Sequence, residues 1–396
     1  MKKFDCKKIM AVLFVGFIIV GFSLTFCTNQ IEIFGGLYRG FVDTPQESSI
    51  LTKVGNSFRN FDARMNNFFI FRNQAVNTYG LVQRISGRKL VDDVEPSYSV
   101  LKLNNGYLTF RGNVMIETDG VDTSSEDGVI YLDKFCKEHG IDYFFVNGLS
   151  KNTNDEDLLP KFYPYVDKEN GEYDFTVNLQ KKGIALWDVQ KELDKQKIDK
   201  YELFYKTDHH WHARAGLWVS KLISYNLNEQ LGYTLETKKL DISQYDIETY
   251  EQSFLGTQGK RVGQYYSSID DFELILPKYE TDISVNFDGQ GIKRGIFEEV
   301  LIHRESITPD NILNINDTAY DAYMGGNHNV VEIHNHKVNN GKKALFVQNS
   351  FGCVVSPYLS QVFEDMVCVD IRGFNSTDNR LEDCILQICP DIVIRV

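Results

Sequence analysis

Positive charge is scarce in this sequence. Its 396 residues carry 42 Lys and Arg against 55 Asp and Glu, a net charge of −13. So acidic a chain is not a general nucleic-acid binder, which needs a basic patch against phosphates. Cysteine is scarce too. Seven over this length, an odd number, make no disulfide framework. Cys353, Cys368 and Cys389 stand in or beside apolar runs and read as buried free thiols. There is no internal repeat and no low-complexity tract. No two histidines have the i, i+4 spacing of a helical zinc site. Apolar residues, by contrast, are plentiful. A hydrophobic share of 42%, with 27 Phe and 21 Tyr, is ample for a packed core and excludes a disordered or collagen-like chain. The length suggests roughly two to three domains.

The N-terminus makes the first functional statement. Lys2, Lys3, Lys7 and Lys8 precede an uncharged apolar stretch from Ile9 to Cys27. That stretch is close to the ~20 residues that span a bilayer as a helix. It exceeds a usual signal-peptide core, and no A-x-A-like site follows it. Leu24-Thr25-Phe26-Cys27 partly matches a lipoprotein box, but Phe26 is too bulky for the small residue expected before such a cysteine. The expectation is an uncleaved anchor over residues 1–30. Its lysines stay cytoplasmic and the rest of the chain lies outside a single-pass cell membrane.

Residues 31–124 read as a stalk, partly helical, and a lead-in in which Asn104-Asn105-Gly106 is a hairpin turn before a short strand at Tyr107-Leu108. From about residue 125 the pattern becomes α/β. Gly128 to His139 is a helix stopped by Gly140, and Tyr143–Val146 is a buried strand. Phe175, Val177 and Leu179 alternate with polar residues as in a short strand. Ile184–Trp187 is another strand, and Asp188–Lys197 is a charged helix. Ala215, Trp218, Val219, Leu222 and Ile223 fall on one helix face, which ends by Gly232. Residues 240–310 are Asp-, Tyr- and Gly-rich and read as a β-rich insertion. Then come a strand at Ala344–Val347, a helix from Ser356-Pro357 to Asp365, a strand at Met366–Val369, a helix at Arg380–Gln387 and a strand at Ile392–Val396. Strand–helix alternation implies a parallel sheet with helices on both faces.

The densest polar cluster is Tyr205-Lys206-Thr207-Asp208-His209-His210-Trp211, at the start of the amphipathic helix. In an irregular turn Asp208 can bond the Nδ1–H of His210, fix its tautomer and leave Nε2 as a base. Thr207 or Asp208 could instead only cap the helix. Asp208, His209 and His210 also suggest a metal-dependent phosphoesterase, with Gly325-Gly326-Asn327-His328 as a faint second motif. Asn349-Ser350-Phe351-Gly352 follows a strand directly. A serine there can expose Oγ at the C-terminal edge of a parallel sheet, where backbone N–H groups can face an oxyanion. It can equally be a plain turn serine.

Six stretches together resemble the bacterial DHHW proteins and, more distantly, the SGNH-like acetyltransferases of alginate export. They are Asn105–Leu108, Leu203–Trp211, Phe254–Arg261, Tyr323–Asn327, Asn349–Gly352 and Val369–Phe374. The resemblance implies a triad of Ser350, His210 and Asp208. Since Asp and His precede Ser, it implies a circularly permuted SGNH-like sheet over residues 125–396. Asn349 stands where the family has Asp. Gly373 backbone and the side chains of Asn349 and Asn375 are candidates for the oxyanion or substrate. The implied function is a membrane-anchored, extracytoplasmic O-acyltransferase or acyl esterase on a cell-envelope or secreted polysaccharide. No metal or other cofactor is implied, and a membrane-bound O-acyltransferase would supply the acyl group. A phosphoesterase, or an inactive glycan-binding scaffold, stands as the alternative.

Overall fold

The computed structural model describes residues 6–45, 48–111, 124–151, 153, 155–163, 175–314, 318–374 and 380–396. The chain forms two compact units, Met1–Ser86 and Gly87–Val396. Part of the expected lead-in, residues 112–123, and the lysines at 2 and 3 lie outside the described residues.

The first unit is helical. Helix α1, Cys6–Val42, bends at Asn29, whose φ of −123° is not helical. Its stretch Phe14–Val42 is long and apolar enough to cross a membrane. Helices α2, Ile50–Asn67, and α3, Arg72–Ile85, follow. Ser49 caps α2 by accepting the Thr52 N–H, a contact typically worth about 1 kcal/mol. Helix α2 lies against α1 because Gly36 and Gly40 carry no side chain. A Cβ on Gly40 would meet the Asn56 carbonyl oxygen at 2.6 Å.

The second unit opens with a small antiparallel sheet. Its strands are β1, Leu90–Val91, β2, Val100–Lys102, and β3, Leu108–Phe110, and the predicted hairpin turn joins β2 to β3. Next come α4, Ser124–Glu138, β4, Asp142–Asn147, α5, Phe175–Lys181, β5, Leu186–Asp188, α6, Val189–Gln196, and α7, Ala213–Leu231. Strand β6, Tyr245–Phe254, pairs with β7, Asp270–Pro277, across helix α8, Thr257–Val262. Strands β8, Ile283–Phe287, and β9, Ile292–Gly295, precede α9, Phe297–Leu301. The chain then runs through β10, Val330–Asn335, β11, Lys343–Gln348, α10, Ser356–Leu359, β12, Asp365–Asp370, α11, Leu381–Ile388, and β13, Ile392–Arg395.

The main sheet has the order β5-β4-β13-β11-β12-β10-β8-β9. The strands from β5 to β12 are parallel, and the last three join antiparallel. Both faces are covered, as the alternation along β4 shows. Phe144 and Val146 pack with α7 and α10, while Tyr143 and Phe145 pack with α4, α5 and α11. Leu345 and Phe346, on opposite faces of β11, are fully buried. Each buries roughly 1.5–3 kcal/mol worth of apolar surface.

Four expectations need correction. Cys389, expected as a buried thiol, is exposed, whereas Cys353 and Cys368 are buried. Phe175–Lys181 is a helix, not a strand. Phe175 and Leu179 are i, i+4, a pair that suits a helix turn as well as alternate strand positions, and Gly183 at φ +77° follows its end. The helix expected from Ser356 to Asp365 is one turn long. A 3-10 turn, Ser350–Val354, capped by Asn349, runs into it, and Asp365 already belongs to β12. The β-rich stretch 240–310 is not a lobe throughout, because β8 and β9 extend the main sheet.

Candidate active site

Phe204 and Trp211 pair as an antiparallel bridge, and His212 N–H donates to the Leu203 carbonyl at 3.0 Å. Residues 205–210 therefore form a tight loop in front of α7. The helix is capped by His212, whose Nδ1 accepts the Ala215 N–H at 3.1 Å. That leaves Asp208 free for other work. Its Oδ1 accepts from the His210 backbone N–H at 2.9 Å and from His210 Nδ1 at 2.6 Å. Its Oδ2 accepts from the Thr257 N–H at 2.6 Å. Burial alone would raise the Asp208 pKa. The two neighbouring histidines and the Thr257 N–H outweigh it and hold the carboxyl well below its usual range.

Strand β11 sits in mid-sheet between β13 and β12, and Ser350 lies just past its C-terminal end. Ser350 Oγ is 2.8 Å from His210 Nε2. The serine opens a helical turn, so its own N–H is one of those a helix start leaves without an internal acceptor. Two close approaches fit the serine turn to the histidine helix. A Cβ on Gly216 of α7 would lie 2.0 Å from the Val354 carbonyl oxygen, and Ser220 Oγ donates to the Val355 carbonyl at 3.0 Å.

The quoted motifs converge on this loop. Gly259 N–H donates to the Thr207 carbonyl at 2.9 Å, and Gly256 N–H to Thr207 Oγ1 at 2.9 Å. Leu108 N–H from the small sheet donates to the Lys206 carbonyl at 2.9 Å. Three groups with no role in the sequence reading complete the frame. Tyr320 stacks on the His210 ring, centroids 4.2 Å apart and 16° from parallel, and its hydroxyl donates to the Ser350 carbonyl at 3.0 Å. Asp270 accepts from the Lys206 and Thr207 N–H groups at 3.0 and 2.8 Å. Lys151 is buried beneath the loop and its Nζ donates to the carbonyls of Tyr205 at 2.9 Å, Lys206 at 3.2 Å and Asp208 at 2.7 Å. Burial pulls the Lys151 pKa down to about 7, against the pull of Asp208 and Asp270. Lys151 follows the C-terminal end of β4, a sheet edge favoured by active sites, and that position was the available clue. Tyr320, on a short 3-10 turn, gave no sequence signal.

The oxyanion candidates fare differently. Asn349 Oδ1 accepts the Phe351 N–H at 3.0 Å, so the side chain caps the serine turn. Gly373 ends the 3-10 turn Ile371–Gly373 beyond β12, at the same sheet edge as Ser350. Asn375 lies outside the described residues. Cys353 Sγ lies 3.5 Å from Asn327 Oδ1, so the Gly-Gly-Asn segment borders the serine turn.

As for metal, Asp208, His209 and His210 each offer a ligand atom, all within 4.8 Å of one another. Both oxygens of Asp208 and both ring nitrogens of His210 are already hydrogen-bonded within the loop and to Ser350 and Thr257. A cation there would have to break those bonds. His328 of the second suspected motif is not in this group. It bonds Asp288 at 2.8 Å and the Met324 carbonyl at 2.9 Å.

The His209 ring centroid lies 3.8 Å from that of His210, and His209 makes no hydrogen bond to Ser350 among the described residues. Its Nδ1 is buried, 3.5 Å from Asp208 Oδ1, and makes no hydrogen bond among the described residues. Burial lowers its pKa to about 4 despite Asp208. The unfolded chain takes up this proton near pH 6.5 and the folded chain only near 4, so acidification across that window favours unfolding. His209→Asn is expected to lose less thermal stability than the parent between pH 6.5 and 4.5. Parallel melting curves across the window would refute this assignment.

The DHHW protein family sequence model matches residues 188–369, a span that holds Asp208, His210 and Ser350. No curated protein matches the sequence. Among solved structures, Bacillus cereus PatB1 with a sulfonyl adduct is similar at a TM-score of 0.57 and 18% identity, over 75% of this chain and 94% of that one. A DHHW family protein from Eubacterium siraeum is similar at a TM-score of 0.51 and 18% identity, over 77% and 92%. These likenesses establish a shared α/β fold. A looser one, TM-score 0.42 and 10% identity over 74% and 88%, is to the O-acetyltransferase domain of Pseudomonas putida AlgJ.

Proposed function

We propose that the chain is a membrane-anchored, extracytoplasmic SGNH-like O-acyltransferase or acyl esterase that acts on a cell-envelope or secreted polysaccharide through Ser350, His210 and Asp208. The observation that carries this reading is the unbroken hydrogen-bond chain Ser350 Oγ–His210 Nε2, His210 Nδ1–Asp208 Oδ1. Acyl transfer is the chemistry such a chain suits. His210 Nε2 takes the Ser350 proton as Oγ attacks the acyl carbonyl carbon, and then gives that proton to the departing donor oxygen. An acyl-Ser350 ester remains. A sugar hydroxyl or water, deprotonated by the same Nε2, attacks it, and the proton returns to Oγ as the ester breaks. Asp208 stabilises the imidazolium between the two transfers. The Ser350 N–H is suited to one oxyanion contact and the Gly373 backbone to a second. The DHHW resemblance supports a glycan acceptor and a membrane-bound O-acyltransferase as acyl supplier. Helix α1 supports the anchor.

A structure of B. cereus PatB1 holds a sulfonyl adduct, and the same reagent class tests this chain. An aryl sulfonyl fluoride is expected to add one sulfonyl group, located at Ser350 by peptide mass spectrometry, and to leave Ser350→Ala and His210→Ala unlabelled. Labelling elsewhere, or equal labelling of both variants, would end the reading. The three clustered ligand atoms favour a second reading, a metal-dependent phosphoesterase. That reading requires a phosphoester-cleaving activity lost on chelation and restored by a divalent cation.

A further inference from the structure

The connection between α2 and α3 is aromatic where a surface loop is usually polar. It reads Phe68-Phe69-Ile70-Phe71. This run folds back along α1. The Phe71 ring stacks on Phe17 with centroids 5.2 Å apart, and Phe69 meets Phe17 edge-on at 6.5 Å. Gly21 makes the room, since a Cβ there would lie 2.7 Å from the Phe69 ring. Phe17 and Gly21 belong to the uncharged stretch Ile9–Cys27. At 1.5 Å per residue Phe17 lies about 16 Å along the helix from Thr28, roughly half the thickness of a hydrocarbon layer. If α1 spans a membrane, rings that touch Phe17 lie inside it.

Several main-chain groups of the run find partners within the protein. Polar main-chain groups in hydrocarbon need partners within the protein. Phe68 N–H donates to the Arg64 carbonyl at 2.9 Å, and Arg72 N–H to the Phe69 carbonyl at 2.8 Å. Ile70 N–H donates to Thr25 Oγ1 at 3.1 Å. Thr25 is fully buried and its own hydroxyl donates to the Gly21 carbonyl at 2.7 Å. This polar residue in an apolar helix thus serves the aromatic run. The outward surface is apolar on both segments, with Ile70 exposed alongside Phe14, Phe17 and Ile18. Polar contact between the helices resumes higher, at the Arg64–Glu32 ion pair, 3.2 Å. Arg72, next to the run, donates from Nη1 to Asn73 Oδ1 at 3.4 Å.

We propose that Phe68–Phe71 dips into the bilayer beside α1 as a second membrane contact, with lipid acyl chains as its partner. The proposal rests on α1 spanning the membrane. The test uses the full chain in phosphatidylcholine vesicles whose acyl chains are brominated near mid-depth. Emission is compared with that of the parent, whose tryptophans lie in the other unit. The added fluorescence of Phe69→Trp is expected to fall by about half or more with brominated lipid and to resist aqueous iodide. Phe14→Trp reports on α1 alone. Quenching of Phe14→Trp without Phe69→Trp overturns the dip and leaves the anchor standing. Quenching of neither removes both. A Phe69→Trp signal shielded from bromine and iodide alike means that protein covers the run, which also overturns the proposal.

Discussion

Ser350→Ala is expected to reduce acyl release from a chromogenic ester such as p-nitrophenyl acetate by roughly 10³-fold or more, toward the uncatalysed rate. His210→Ala should cost about as much, because the serine is inert as an alcohol until Nε2 at 2.8 Å takes its proton. The double variant should be hardly worse than either single one, since the two groups act as a unit. Removing Asp208 should cost somewhat less, because it orients and stabilises rather than transfers a proton. The variants should fold, since Ser350 and His210 are partly exposed and neither fills the core. Retained turnover in folded Ser350→Ala would exclude the serine. Loss on His209→Ala with full activity in His210→Ala would exclude this assignment of the base.

The second large effect is expected from a methyl group. Gly256→Ala places a Cβ 2.2 Å from Asp208 Cβ and 2.5 Å from its Oδ2. Gly256 has φ −72°, so alanine brings no backbone penalty and the effect is steric. The backbone there cannot retreat freely. Its N–H is held by Thr207 Oγ1 at 2.9 Å, and its carbonyl by the Lys260 N–H at 2.8 Å. Asp208 must move instead, which loosens its grip on His210 Nδ1. A loss of about 10²–10⁴ in kcat is expected, with about 1–3 kcal/mol of stability from overpacking. Gly55→Ala in α2, where nothing lies within 4 Å, is the matched control and should leave turnover unchanged. Parental kcat in Gly256→Ala would show that the loop tolerates displacement of Asp208.

The α/β scaffold was legible because its strands carry long-range information in short runs. Ala344–Val347 and Met366–Val369 are short apolar runs, the length and pattern of strands in a sheet buried on both faces. The Asp-His turn was legible because its residues are neighbours in sequence. The missed elements share a cause. At Phe175–Lys181 the pair Phe175 and Leu179 fits either period, and only the packing of Leu179 beneath α4 decides. Lys151, Asp270 and Tyr320 act on the site across more than fifty residues of chain or from a short irregular turn, and no local pattern reports that. Gly256 lay inside a quoted motif, but its role is an absence of atoms that only the neighbour at 2.2 Å reveals.

The placement of β13 bears on when the site can act. Asp208 and His210 are two residues apart and can pair as soon as their loop closes, a contact of very short range. Ser350 is different, because its position depends on β11, which is clasped between β12 and β13. Strand β13 is in turn the seam between β4 and β11, and it is made of residues that follow the serine in the chain. Until Ile392–Arg395 have emerged and slotted into the middle of the sheet, a nascent polypeptide has β11 clasped on one side only, and the Ser350 turn leans on β12, α7 and Tyr320. A chain interrupted between the two would carry its proposed nucleophile on a half-clasped strand.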